Sequence, residues 1–335
     1  MKRILYIANY REGIGGISGQ VEMLYRHIIS LDGYETSIFS TYGSVLKRIM
    51  KFIQLIFIAR KYDVLHIHGC SDRGMLPIVY GIVAGKICRK CIIVTYHGGD
   101  AENYFAKHAK FARKWLNRAN KVIVLNGYLE NVFHKYNIPC IVIPNIVLLP
   151  DIERTHTLNP KIPRFISVRH LRELYNIPCI LRAFEHVQEH IPDASLTILG
   201  SGPQLEELQQ YVRNHNLRHV TFTGQVPNQE INRYLAEHDV FLSAPRVDNM
   251  PVSVLEAMNA GLLVISSRVG GVPYLIEENR TGLLFDYDDD KRMAELMLWA
   301  VSNADKVETI TKAAHEEVQR YSWKQIKEQI LELYE

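Results

Sequence analysis

Residues 243–261 read SAPRVDNMPVSVLEAMNAG and hold two acids eight positions apart, Asp248 and Glu256. Pro251 favours the start of a helix and Gly261 favours its end, so Asp248 is predicted to precede the helix that contains Glu256. The N–H groups and dipole at the start of such a helix attract anions. A phosphate there, with hydroxyl groups held by both acids, describes a nucleotide-sugar site. An ordinary amphipathic helix with a capping aspartate is the alternative.

This segment resembles the acid-x7-acid motif of retaining glycosyltransferases of family 4, or group 1, which have the two-domain GT-B fold. The family usually has Glu at the first position, where this chain has Asp248. The resemblance implies that Asp248 contacts the donor sugar and that Glu256 contacts the ribose. It also implies that the residues at the helix start bind the donor diphosphate, chiefly through backbone N–H groups: Asn249, Met250, Pro251 and Val252.

A glycine-rich turn follows the first predicted strand and includes Gly15 and Gly16. Glycines between a strand and a helix let the backbone approach a phosphate closely. The spacing is not the dinucleotide-binding G-x-G-x-x-G pattern. The turn resembles the Gly-Gly loop that opens the N-terminal domain of the family, which implies contact with the donor.

Residues 92–100 read IIVTYHGGD, which resembles the strand and Thr-x-His-Gly motif of the same family. The resemblance places His97 at the interdomain cleft beside the donor sugar. A structural histidine at the end of a strand is the alternative.

Further motifs follow in the order that the family shows. They are PN at 144–145, LGSGP at 199–203, GGVP at 270–273, TGLL at 281–284 and YSWK at 321–324. The resemblance therefore runs from residue 2 to residue 335. It implies that Gly202 lies at the donor and that Gly224 and Val226 lie near the edge of the base.

The chain departs from the family after the predicted strand at 165–168. The family usually has Gly-Arg-Leu there and Lys-Gly four residues later, and its two cations bind the diphosphate. In this chain His170 and Tyr175 occupy the two cationic positions. Arg169 and Arg172 flank them and are candidates to replace the missing charge.

The composition is that of a soluble globular protein, with 335 residues, 47% hydrophobic and 22% charged. No apolar run approaches the ~18 residues of a membrane span, and the N-terminus is predicted to be a first strand rather than a signal peptide. Five cysteines favour a reducing compartment over a disulfide framework. We expect no metal and no cofactor. No cluster of metal ligands is visible in the sequence, and the resemblance to GT-B enzymes of this type implies an enzyme that works without a metal.

Strand-like and helical stretches alternate, which predicts parallel sheets covered on both faces. The predicted strands are 4–8, 36–40, 64–68, 92–95, 122–125, 141–143, 165–168, 196–199, 220–223, 240–242, 264–266 and 283–285. The predicted fold is α/β, with two Rossmann-like GT-B domains facing across a cleft. We assign 1–150 to the acceptor domain, 151–163 to a linker, 164–320 to the nucleotide-sugar domain and 321–335 to a terminal helix. Whether this helix crosses back to the first domain is left open.

The first 150 residues are strongly basic and the remainder is acidic, although the net charge is only +3. The stretch 45–61 mixes large apolar residues with cations that include Lys47, Arg48 and Lys51, which favours an anionic membrane surface or the acceptor as its partner. A surface helix packed on the sheet is the alternative. Nucleic acid is not expected, because no recognised binding module is present.

The resemblance implies retaining sugar transfer from a nucleotide-diphosphate donor to a lipid-linked sugar or growing surface glycan. We expect a cytoplasmic protein that is peripheral at the inner face of the membrane. A sugar-nucleotide epimerase and an inactive nucleotide-sugar-binding subunit remain alternatives.

Overall fold

Strands and helices alternate along the chain. A computed structural model describes residues 1–12, 16–152 and 158–335. They form two units, one from Met1–Ile146 with Trp323–Glu335 and one from Val147–Ser322.

The first unit contains a parallel sheet in the order β2-β1-β3-β4-β5-β6. Its elements are β1 (Lys2–Ala8), α1 (Ile17–Ile29), β2 (Tyr34–Ser40), α2 (Val45–Ala59), β3 (Val64–Gly69), α3 (Met75–Cys88), β4 (Cys91–Tyr96), α4 (Ala101–Leu116), β5 (Lys121–Val124), α5 (Gly127–Lys135) and β6 (Ile141–Val142). The central strands are almost wholly buried, because helices cover both faces of the sheet.

The second unit contains a parallel sheet in the order β12-β11-β10-β7-β8-β9. Its elements are β7 (Arg164–Val168), α6 (Ile177–His190), β8 (Ser195–Leu199), α7 (Leu205–Asn214), β9 (Val220–Gly224), α8 (Asn228–Ala236), β10 (Val240–Ser243), α9 (Val252–Asn259), β11 (Leu263–Ser267), β12 (Leu283–Phe285), α10 (Asp290–Ser302) and α11 (Ala304–Val318).

The last helix, α12 (Trp323–Tyr334), packs in the first unit. Its buried Ile326 and Ile330 join the core that α1 forms with one face of the sheet. The Lys121 ammonium donates to the carbonyl oxygens of Glu332 at 2.8 Å and Leu333 at 3.2 Å. A cation suits this end of a helix, where carbonyl groups lack helical partners.

The two faces of the first sheet carry different helices. Leu5 and Ile7 lie in a core with residues of α2, α3, α4 and α5. Ile4 and Tyr6, which point the other way, lie in a core with α1 and α12. The side chains of alternate residues along β1, β3 and β4 therefore lie in two separate cores, one on each face of the sheet.

Candidate functional site

The loop that carries Asp248 connects β10 to α9. The helix begins at Val252, directly after Pro251, without a capping side chain. The Asn249 N–H donates to Asp248 Oδ1 at 2.8 Å. The loop therefore presents a carboxylate beside the positive end of a helix, as the sequence predicts.

Gly270 holds this loop in place through close backbone contact. A Cβ at Gly270, whose φ is +50°, would lie 2.1 Å from the Asp248 carbonyl oxygen. The next residue, Gly271, donates its N–H to the same oxygen at 3.0 Å. The GGVP motif thus supports the position of the acidic loop, and only a residue without a side chain fits there.

Arg169 forms an ion pair with Asp248, with 3.1 Å between Nη2 and Oδ2. The two side chains are 10% and 18% exposed. Arg169 Nη2 also donates to Ser243 Oγ at 3.3 Å, and the guanidinium lies 5.3 Å from the centre of the Tyr175 ring. The structure therefore directs the Arg169 charge to the first acid of the motif.

Glu256 lies in the second turn of α9, in surroundings that disfavour its charge. Burial raises the pKa of its carboxyl, and the charge of Arg169 opposes that rise. One arginine therefore acts electrostatically on both acids. The sequence identified all three residues but did not predict that they interact.

The LGSGP turn fixes the backbone that carries Arg169. A Cβ at Gly200 would lie 1.9 Å from the Arg169 carbonyl oxygen, and one at Gly202 would lie 2.2 Å from that of Leu171. The Gly200 N–H donates to the Gly224 carbonyl at 2.9 Å. Gly202 thus permits the close approach of two loops.

The other predicted donor residues of the second unit lie at the same ends of its strands. Val226 is half-buried in the loop between β9 and α8, and Arg172 and His170 are exposed. Desolvation and the nearby charge of Arg172 lower the pKa of His170, and a hydrogen bond with the Ser201 backbone opposes this shift.

In the first unit, Gly16 precedes α1 and has a φ of +68°. A Cβ there would meet no atom within 4 Å, so the glycine is required by its backbone conformation rather than by space. Gly15, the other glycine predicted to contact the donor, lies outside the described residues.

His97 follows β4 and is half-buried. Its Nε2 lies 3.0 Å from Nδ1 of His68, and the two rings are stacked with centroids 5.2 Å apart. Burial lowers the pKa of His97 to about 4. The imidazole is therefore neutral at pH 7 and can donate through one nitrogen and accept through the other.

A buried polar chain lies on the same face of the sheet. His66 contacts the Tyr334 hydroxyl through Nδ1 and Thr95 Oγ1 through Nε2, each at 2.8 Å. Tyr334 also lies 3.1 Å from the Tyr6 hydroxyl. The sequence analysis missed these residues, although the pattern V-L-H-I-H-G places two histidines on one face of a buried strand.

The outer surface of α2 is apolar. The exposed fractions of Ile49, Met50, Ile53 and Phe57 are 52%, 56%, 53% and 59%. Of the predicted cations, Lys47 is exposed and Arg48 is half-buried. Lys51 instead donates to the carbonyl oxygens of Ser40 and Tyr42, both at 2.8 Å.

In the parts of the chain that the structure describes, no helix has both the length and the hydrophobicity that crossing a bilayer requires. The same residues contain no group of three or more His, Cys, Asp or Glu side chains that could hold a metal ion.

Two family profiles match the chain. The profile described as "Glycosyl transferases group 1" matches residues 150–317. The profile described as "Glycosyltransferase Family 4" matches residues 15–149. The two matches meet between the described units, within a few residues of Val147.

The sulfoquinovosyl transferase of Arabidopsis thaliana is 31% identical over 147 residues, which are 43% of this chain and 28% of that protein. The GDP-mannose-dependent alpha-(1-6)-phosphatidylinositol monomannoside mannosyltransferase of Mycobacterium tuberculosis is 30% identical over 145 residues, 41% of this chain and 38% of that protein. The chain thus spans well under half the length of each relative. The crystal structure of HepE from Anabaena with UDP and glucose has a TM-score of 0.79 at 17% identity, over 99% of this chain and 98% of that chain.

Proposed function

The chain belongs to the group 1 glycosyl transferases, and from this we propose that it moves a sugar from a nucleotide-diphosphate donor to a glycan acceptor with retained anomeric configuration. The single observation that carries the proposal is the placement of Asp248, Glu256 and Arg169 around the start of α9. Two acids and a helix start supply the partners that a nucleotide sugar needs, namely acceptors for its hydroxyl groups and N–H donors for its phosphates.

Arg169 has a specific part in this arrangement. Its ion pair with Asp248 orients that carboxylate in a largely buried loop. Its charge also favours the ionised form of Glu256, the stronger hydrogen-bond acceptor for ribose hydroxyls. We assign the diphosphate to the backbone at the start of α9, with Arg172, His170 and Tyr175 as the neighbouring polar groups.

In the proposed reaction, the bond between the anomeric carbon and the diphosphate oxygen breaks and positive charge develops on the sugar. Asp248 fixes the sugar hydroxyls while the N–H groups at the helix start stabilise the departing phosphate. The acceptor hydroxyl attacks on the face that the leaving group vacates. Its proton passes to an oxygen of the departing diphosphate, so no protein side chain is required as the base.

His97 supplies a neutral hydrogen-bonding group to the donor sugar. Because burial keeps it uncharged at pH 7, it orients a hydroxyl without adding a positive charge beside a developing cation. Its contact with His68 holds the imidazole in one orientation.

For the acceptor we propose a lipid-linked sugar or a growing surface glycan, reached at the cytoplasmic face of a membrane. The name of the Mycobacterium relative specifies a phosphatidylinositol mannoside acceptor, which supports this class. The four exposed apolar residues of α2 and the exposed cations Lys47, Arg60 and Lys61 at its two ends suit an interface with anionic lipid.

Membrane contact is tested by co-sedimentation with vesicles of phosphatidylcholine alone or mixed with phosphatidylglycerol. We expect Ile53→Glu with Phe57→Glu to lower binding to the anionic vesicles at least tenfold. Ile29→Glu is the control, because Ile29 is 48% exposed on α1, across the sheet from α2. Equal binding by all three proteins would refute the role of α2.

Transfer is tested by screening nucleotide sugars for binding and then measuring product with the bound donor and candidate glycolipid acceptors. We expect Asp248→Asn and Glu256→Gln each to lower kcat/KM by at least 100-fold. Glu206→Gln, an exposed residue of α7, serves as the control. Near-normal turnover in both site variants would refute the assignment.

The same assay separates the two alternatives. An epimerase would convert the nucleotide sugar without any acceptor, and an inactive binding subunit would bind it without product in any reaction. Either result would replace the proposed transfer.

A further inference from the structure

His68 contacts His97 from a buried position on β3. It is 1% exposed, and one of its ring nitrogens, Nδ1, contacts His97 Nε2 at 3.0 Å. Its other nitrogen, Nε2, is buried and has no protein partner. Since buried polar atoms nearly always have a hydrogen-bond partner, this nitrogen needs an explanation.

His68 lines a small pocket. It has a volume of about 20 Å³, which is enough for one water molecule. His68 and His97 both line it, together with Thr95, Asn145 and apolar residues that include Leu125 and Ile330. A pocket with polar lining residues and room for a single water could supply the partner that His68 Nε2 lacks among the protein groups.

The contact between the two rings forces a choice of tautomer. Both imidazoles are neutral, because burial lowers both pKa values. One ring must therefore donate and the other must accept. If His68 donates from Nδ1, its Nε2 is an acceptor and His97 carries its proton on Nδ1. If His97 donates from Nε2, the buried Nε2 of His68 carries an N–H.

The first arrangement is favoured because a buried N–H without a partner is rarer in proteins than an under-satisfied acceptor. The preference comes from the protein groups alone, since a pocket water could either donate to a bare Nε2 or accept from an Nε2–H; in the first arrangement the water donates one hydrogen to His68 Nε2. His97 then presents an N–H at Nδ1, and this group can donate to a hydroxyl oxygen of a bound sugar.

We propose that His68 is a positioning residue that holds the proton of His97 on Nδ1, with one water molecule in the adjoining pocket as the second partner of His68. The consequence for transfer rests on the proposed function, in which His97 binds the donor sugar. The tautomer itself is a property of the free protein and is measured without any substrate.

His66 offers an internal comparison. It lies two residues earlier on the same buried strand face, but both of its ring nitrogens have protein partners, and those partners are Tyr334 and Thr95 rather than His97. A change at His66 should therefore affect stability and leave the tautomer of His97 as it is.

The direct experiment is long-range ¹H–¹⁵N NMR of the full chain labelled at histidine, at pH 7.5, with the His97 signals assigned from a His97→Gln spectrum. We expect the wild-type signals to show His97 and His68 both protonated on Nδ1. Protonation of His97 on Nε2 in the wild type would overturn the proposal, whether or not any variant folds.

Three variants at His68 test the cause. His68→Phe keeps the ring shape without nitrogens and should shift His97 toward the Nε2–H form. His68→Asn keeps an amide near the position of Nδ1 and should preserve the Nδ1–H form, whereas His68→Gln places its amide near Nε2 and should not. The control His66→Gln should leave the His97 signals in the Nδ1–H form. An unchanged His97 tautomer in His68→Phe would overturn the proposal.

Activity adds a separate readout. We expect kcat/KM to fall about 10- to 100-fold in His68→Phe and His68→Gln and to recover within a few-fold in His68→Asn. If the spectra change as expected in a protein that transfers no sugar, the proposed function fails and the role of His68 in setting the tautomer stands. If His68→Phe changes the His97 tautomer but keeps full activity, the tautomer does not matter for sugar transfer and that part of the proposal is refuted.

The water is tested in a crystal structure of the wild-type protein at high resolution. A density peak within hydrogen-bonding distance of His68 Nε2 supports the proposal. An empty pocket at that resolution would overturn the part that assigns a water molecule to it.

Discussion

The guanidinium of Arg169 and the carboxylate of Asp248 are paired at 3.1 Å across two loops that follow neighbouring strands, β7 and β10, of the second sheet. Both side chains are largely shielded from water, so neither is solvated if the other is removed. A largely buried pair of this kind is costly to break from one side only.

The first prediction concerns the cost of removing only one member of this ion pair. Arg169→Met should destabilise the second unit by about 2–4 kcal/mol, because it leaves Asp248 without its counter-charge. Adding Asp248→Asn should recover part of the loss, which urea denaturation of the single and double variants measures. If the double variant is as unstable as the sum of the two single variants, the ion pair does not contribute in this way.

A second prediction concerns Gly270. Gly270→Ala should cost more than about 3 kcal/mol and lower transfer activity, because its Cβ would be placed 2.1 Å from the Asp248 carbonyl oxygen. Gly33→Ala is the matched control, since Gly33 also has a positive φ, +88°, but a Cβ there meets nothing within 4 Å. It should cost only the strain of the backbone, about 1–2 kcal/mol. Equal losses in thermal and urea denaturation would argue against the steric explanation.

The third prediction concerns the end of the chain. Tyr334→Phe removes the hydroxyl that contacts both His66 and Tyr6, so two buried polar groups lose a partner. We expect a loss of about 1–3 kcal/mol in the free energy of unfolding of the first unit. Tyr287→Phe, at a tyrosine that is 45% exposed, should change it by less than about 0.5 kcal/mol. Identical denaturation curves for wild type and Tyr334→Phe would contradict the prediction.

The fourth prediction is a pH dependence of stability. Burial lowers the pKa of His66 to about 3 and that of His97 to about 4, and it lowers that of His68 well below its usual range. Each group binds a proton on unfolding at pH values between its folded pKa and its usual value near 6.5. These histidines therefore do not lower the free energy of unfolding above about pH 6.5. Below that pH the free energy of unfolding decreases as the pH falls toward 4.

Between pH 6 and 5, each of these histidines should contribute about 1 kcal/mol per pH unit to the slope of unfolding free energy against pH. His66→Phe should reduce the slope by one such increment. His134→Gln, which replaces an exposed histidine on α5, serves as the control. Measurements in urea at several pH values would contradict the prediction if the wild type and His66→Phe had the same slope.

The family, the GT-B fold and all twelve strands that the sequence predicts are confirmed in the described part of the chain, with ends that differ by one or two residues. This success has a physical basis. Strands of a parallel sheet are buried on both faces, so they appear as short apolar runs between glycine-rich and polar turns. The two acids of α9 were identifiable for a related reason, because helix starts and ends have their own residue preferences.

The partner of Arg169 could not be predicted in the same way. The sequence places Arg169 after one strand and Asp248 after another, but their contact depends on β7 and β10 being neighbours in the sheet. Chain order does not fix sheet order, so the sequence suggests only the diphosphate as a partner for Arg169. Lys51 presents the same difficulty, because its partners are backbone carbonyls at the end of β2 that no motif marks.

The return of α12 also determines the order in which the protein can be completed during synthesis. The second unit consists of Val147–Ser322, all of which is translated before the residues that cover Tyr6 and His66. During synthesis, the portion made first has this face of its sheet covered only by α1 until α12 has been translated. The later portion can fold while the earlier one is still unfinished, the reverse of the usual N-to-C progression.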